Sequence, residues 1–200
     1  MIVIFVFALA ACSTAPAALI LSQNDGATPV AYSNGGGSGF GGGFLGSPTV
    51  RFTFDLDGSN NIVIGYSPDN AVTDPNRVVL YLDTRSGGFT DATMSDTADD
   101  GRRAITELGS FGDEVFPSSP SVVPDFAIAY RQGGCEIFEL TSGSLNFLSS
   151  GSFSSPSCTI TVPYATLGSP AAIDFFAALV NASNGFLSSE SHPASAGLNG

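Results

Sequence analysis

Between Asp83 and Asp100, five carboxylates crowd one stretch of chain: Asp83, Asp91, Asp96, Asp99 and Asp100, within LDTRSGGFTDATMSDTADD. Hydroxyl and backbone oxygens lie between them. A hard cation such as Ca²⁺ takes about six to eight oxygen ligands from a bent loop, and this segment carries enough donors to supply them. The spacing is not that of an EF-hand. Arg85, Arg102 and Arg103 lie close enough to neutralise the same carboxylates, so a second reading stands beside the metal: ion pairs and helix capping. The run Asp55-Leu56-Asp57-Gly58-Ser59-Asn60 admits the same pair of readings, a cation loop or a tight turn between strands. For a small polar ligand, Phe89 is the aromatic best placed for exposure, with Tyr81, Arg85, Arg102 and Arg103 around it. Tyr66, Tyr81, Tyr130 and Tyr164 are candidates for a stacking platform or for the core.

Catalytic constellations are sparse. The single His is His192, in a segment without strand pattern, so neither a Ser-His-Asp nor a Cys-His site has an evident base, and zinc has few ligands. Glu136 and Glu139 suggest the carboxylate pair of a glycosidase, but three positions apart on a strand they point to opposite faces. The chain reads as a non-enzyme. It has no Lys, six Arg and eighteen acids, for a net charge of −12. Phosphate backbones are held by Lys and Arg, so nucleic acid is excluded as an expected partner. Neutral polymers and divalent cations remain compatible.

The elements that must position these groups are short strands. In VRFTFDL, Phe52, Phe54 and Leu56 share one face and Arg51, Thr53 and Asp55 the other. NIVIGY and RVVLYLD are continuously apolar, as strands covered on both sides are. DFAIAY, CEIFEL, SLNFLS, CTITV and IDFFAALV follow. Turn residues punctuate them, including Pro68-Asp69-Asn70, Gly133-Gly134 and Gly168-Ser169-Pro170. Eight or nine strands at this spacing predict an all-β, antiparallel, jelly-roll-like sandwich over residues 47–187. One short helix is expected over Asp99–Leu108, its acids at the positive end. Residues 18–46 read as a first strand (Ala18–Ser22) and a Gly-rich loop. Residues 188–200 read as an irregular tail.

The first 17 residues hold an uncharged apolar run too short to span a bilayer, followed by Ala15-Pro16-Ala17. This reads as a signal peptide and a secreted product. Leu9-Ala10-Ala11-Cys12 reads alternatively as a lipobox, with Cys12 acylated at the cell envelope. Either way Cys135 and Cys158 are left to pair, which suits an oxidising compartment.

The segments VVLYLDTRSGGFTDATMSDTADDGRRAI, VPDFAIAY, IFELTSGSLNF, TITVPYATLG and DFFAALVNASNGFLSSESHPAS, over about residues 48–195, resemble secreted bacterial DOMON-like sandwiches akin to family-9 carbohydrate modules. The resemblance implies an exported domain that binds a polysaccharide or cell-surface polymer. The other readings kept open are a structural surface protein without a small ligand and a glycosidase-like enzyme.

Overall fold

Residues 20–21, 44–45, 51–89, 94–106, 123–183 and 186–192 are described by the computed structural model. Among them are eleven strands: β1 (Ile20–Leu21), β2 (Arg51–Leu56), β3 (Asn61–Ser67), β4 (Asn76–Asp83), β5 (Phe126–Arg131), β6 (Gly134–Thr141), β7 (Ser144–Ser150), β8 (Ser152–Ser154), β9 (Ser157–Pro163), β10 (Ala172–Asn181) and β11 (Phe186–His192). One helix, α1 (Asp100–Thr106), and a 3-10 turn (Tyr164–Leu167) complete them. The expected antiparallel sandwich with one short helix is what the chain forms. Seven strands make one sheet in the order β1-β10-β4-β5-β6-β7, with β11 also on β10, and four make the other, β2-β3-β9-β8. All pairings are antiparallel except the two-residue contact of β1 with β10. No helix among the described residues is long and apolar enough to cross a membrane. Cys12 and the leader-like run lie outside the described residues.

The period-two pattern does what it must. Phe52, Ile62, Ile64, Tyr66, Ile160 and Val162 of the small sheet meet Val78, Leu80, Leu82, Phe126, Ile128, Tyr130, Ile137 and Phe175 of the large one, and nearly all are fully buried. Burying each such side chain contributes about 1.5–3 kcal/mol. The large sheet is apolar on its outer face too. There Val79, Tyr81, Ala127, Ala129, Phe138, Phe176 and Ala178 lie beneath Ala104 and Ile105 of α1. This second layer explains the unbroken apolar run of β4, whose six central residues are all buried.

A Cys135–Cys158 disulfide joins β6 to β9 and so ties one sheet to the other. It lies where Tyr130 and Tyr66, the register partners of the two cysteines, pack ring to ring at 4.8 Å. Gly151 is obligatory beside it: a Cβ there would stand 2.3 Å from the Cys135 Sγ and 2.5 Å from the Thr159 carbonyl oxygen.

Two expectations need correction. Residues 188–192 are not irregular, since β11 pairs with β10 from Asn181↔Phe186 to Ala177↔His192. An edge strand takes its hydrogen bonds from the backbone of its neighbour, so a polar run such as SSES needs no alternating apolar face to join. The helix begins at Asp100 rather than Asp99, because Asp99 is its cap.

Candidate functional site

The outer face of the large sheet carries the polar chemistry. Along β4 the residues Arg77, Val79 and Tyr81 point outward. Across the sheet the outward positions include Arg131 at the end of β5 and Glu136 near the start of β6. The segment entering α1 passes over them. Asp99 accepts the Arg102 backbone N–H at 2.8 Å, satisfying one of the donors a helix leaves unpaired at its start. Between these elements opens a cleft of about 280 Å³ lined by Arg77, Asp99, Asp100, Gly101, Arg131 and Glu136. Gly101 is buried over Ala129 and Glu136; a Cβ there would lie 3.6 Å from the Glu136 carboxylate and 3.3 Å from that of Asp99.

Arg77 is the most enclosed wall of the cleft, 4% exposed. Its guanidinium donates to Asp74 at 2.6 Å, to the Asn76 carbonyl at 2.7 Å and to Asp100 at 3.3 Å, while its Nε has no acceptor among the described residues. Arg131 stands 3.5 Å from Glu136 at the opposite wall. Phe147 lies on the same outer face. It is the register partner of Phe138 on β6, two positions along from Glu136, and packs edge-on to that ring at 5.9 Å. At 52% exposure it is the most open large apolar side chain among the described residues.

The sequence-predicted residues divide sharply. Tyr81 is no platform: it is buried, its hydroxyl donates to the Ile105 carbonyl at 2.9 Å, and burial pushes its ionisation far above the ordinary tyrosine range. Tyr66 and Tyr130 are core residues as well. Phe89 is half-buried against the outer apolar layer rather than presented to solvent. Arg85 lies over the Phe126 ring at 4.7 Å and pairs with Glu139 at 3.0 Å and Asp125 at 3.5 Å. Arg102 covers the Phe138 ring at 4.9 Å and donates to Asp96 and the Leu145 carbonyl. Arg103 stands 3.6 Å from Asp100. These three arginines hold structure in place, and two of them border the cleft, Arg102 through Asp99 at 3.3 Å and Arg103 through Asp100.

The five acids do not share one point. Asp83, at the far end of β4, accepts the Val123 N–H at 3.0 Å and faces Asp174 across the sheet. Its burial, with the charges of Asp125 and Asp174, raises its carboxyl above the usual range. Asp96 is penalised most by burial, but the Arg102 hydrogen bond and charge and the backbone hydrogen bonds together outweigh this and hold its carboxyl below the usual range. Asp99 and Asp100 meet at the cleft, and Asp91 lies outside the described residues. Among the described residues no three acidic, His or Cys side chains are grouped to hold a metal ion. The Asp55–Asn60 segment is a turn, in which the Asp57 carboxylate accepts from Ser59, Asn61 and the Asn61 amide. Its left-handed residue is Asn60 rather than Gly58. Glu136 and Glu139 lie on opposite faces, each beside its own arginine.

No protein-family model, curated protein or solved structure matches this chain. The cleft therefore rests on its own geometry. Of its walls, Asp99, Asp100 and Glu136 stood out in the sequence, whereas Arg77 and Arg131 were missed, Arg77 because it opens a strand that otherwise reads as pure core. That lone charge before VVLYL was the available signal. Nothing in SLNFLS distinguishes Phe147 from an inward-facing residue.

Proposed function

We propose that this chain is a non-catalytic, exported β-sandwich module that binds carbohydrate, and that the outer-face cleft with Phe147 beside it takes the sugar. One observation carries the reading: an exposed aromatic ring shares a sheet face with a cleft walled by guanidinium and carboxylate groups. Planar, multidentate polar groups suit the paired hydroxyls of a pyranose, and an aromatic ring takes the apolar C–H face of the same unit. The size of the cleft fits one such unit with its neighbours extending over Phe147. The disulfide supports residence in an oxidising compartment.

Titration calorimetry and affinity electrophoresis on a panel of soluble polysaccharides test this. Binding to at least one member, weakened roughly tenfold by Phe147→Ala and by Glu136→Gln, is the expected result. Silence on every polysaccharide ends the binding reading and leaves a structural surface protein. Release of reducing ends by the native chain, abolished in Glu136→Gln, would instead make it a hydrolase.

Calcium as a structural ion is tested separately. Because arginines already neutralise Asp96, Asp99 and Asp100, chelation is expected to leave the melting temperature unchanged. A fall on adding EDTA would show a bound ion, since a ligand held only by the native state stabilises it.

A further inference from the structure

The side of the sandwich where both sheets end carries an apolar patch without charge, and we propose that it docks a second copy of this chain. β7 is the last strand of the large sheet, β8 the last of the small one, and Gly151 alone separates them, so the two ends lie together. Residues 140–173, which include both strands, contain no Asp, Glu, Arg or His, although the chain has eighteen acids and six Arg. The two large apolar side chains that are exposed among the described residues, Phe147 and Phe153, both fall in this run. Phe147 turns to the outer face and stays with the cleft. Phe153 is the register partner of Cys158, and cross-strand partners share a face, so its ring turns toward the gap between the sheets at 38% exposure. Leu148 of β7 is half-buried against the same core. Phe153 and Leu148 therefore form an open mouth of the core, and Asn146, Ser152 and Ser154 beside them are exposed and neutral.

Charge selects the occupant. A free sheet edge in a protein that stays single is commonly blunted by charged side chains. β2, at the other end of the small sheet, carries Arg51 and Asp55, whereas β8 is Ser, Phe and Ser. Two molecules of net charge −12 repel one another over most of their surfaces, so copies meet closely only where neither presents charge. Interface cores are likewise depleted of charge and enriched in aromatic rings. A patch offered to its own copy implies a twofold axis, which sets Phe153 and Leu148 of one molecule against the same pair in the other. Side chains make the contact, not an extension of the sheet along β7. The Leu145 carbonyl is already taken by Arg102, and the ladder to β6 shifts register between Ile137 and Phe138. Two apolar side chains per copy make a small contact, so the association is weak and reversible.

Sedimentation velocity on the full chain over a range of concentrations tests this. A monomer–dimer equilibrium is expected, and it should shift toward dimer as salt rises, because screening weakens the repulsion between like-charged copies. Ser152→Asp, at an exposed position on β8, should weaken dimerisation roughly tenfold and leave the urea midpoint unchanged. Asn60→Asp, in the exposed turn between β2 and β3, adds the same charge elsewhere and should weaken it far less. A single monomeric species up to about 1 mM in high salt overturns the proposal. Equal losses in the two variants reduce the effect to bulk charge and also overturn it. Open-ended growth beyond the dimer does the same, since a twofold contact closes on itself. A monomer whose polysaccharide binding falls with Phe153→Ser as it does with Phe147→Ala would make the patch part of the sugar site instead. The proposal stands apart from the carbohydrate reading, and its failure leaves that reading untouched.

Discussion

At the level of single residues, Asp83 and Asp96 carry opposite thermodynamic sign. Asp83 faces Asp174 across adjacent strands, and its folded-state pKa is raised by burial and by the charges of Asp125 and Asp174. Its ionised form therefore disfavours the fold once pH exceeds that value, and the penalty disappears below the ordinary carboxylate range. Asp83→Asn, which still accepts from Val123, is expected to stabilise the domain at neutral pH by up to about 1 kcal/mol, the scale of a like-charge cross-strand pair. The gain should shrink towards zero in acid; urea melts of both proteins at several pH values check it. Asp96 has the reverse sign. Burial penalises its carboxyl, but Arg102 and the backbone hydrogen bonds together hold it low, so it contributes stability above the ordinary range that is lost as pH falls through its folded value. Gly151→Ala carries the largest cost, about 2–3 kcal/mol, because the new methyl meets a sulfur and a carbonyl oxygen that are both fixed. A melting curve unchanged by that substitution would mean the turn is less tight than described.

Among the elements, α1 is the piece whose loss would cost the cleft most. It is only seven residues long and depends on its cap and on the sheet below it rather than on its own propensity. Asp99→Ala should cost about 1 kcal/mol in urea unfolding, whereas Asp99→Asn should be close to neutral. The strands were readable from alternation because one face of each had to be apolar: Phe52 and Phe54, or Phe126, Ile128 and Tyr130, fall where period two puts them. The helix start was readable from Asp99 and Asp100. What alternation could not decide was which side of a doubly covered strand a residue faces. Tyr81 looked available to a ligand in the sequence, yet it lies under α1 because β4 has an apolar layer on both sides. β11 escaped notice for the complementary reason, since its pairing is a property of the β10 backbone.

For the molecule as a whole, the site depends on long-range register. Arg77, the α1 entry and the Arg131–Glu136 hairpin come from separate stretches of chain, and only the pairing of β4, β5 and β6 brings them to one cleft. No local pattern encodes such a meeting, which is why the acidic segment was visible in the sequence and its basic counterpart was not. The disulfide works at the same scale. Opening it under reductant should lower stability by about 3 kcal/mol on the chain-entropy account, read as a lower urea midpoint. A shift near zero would place the holding force in the Phe52, Tyr66 and Tyr130 contacts instead. The position of β4 has one more effect, on the birth of the protein. This strand, greasy on both sides, leaves the ribosome long before β10, the partner that closes one of its flanks. Until β10 arrives, the nascent polypeptide carries an uncovered sticky ribbon that invites clumping.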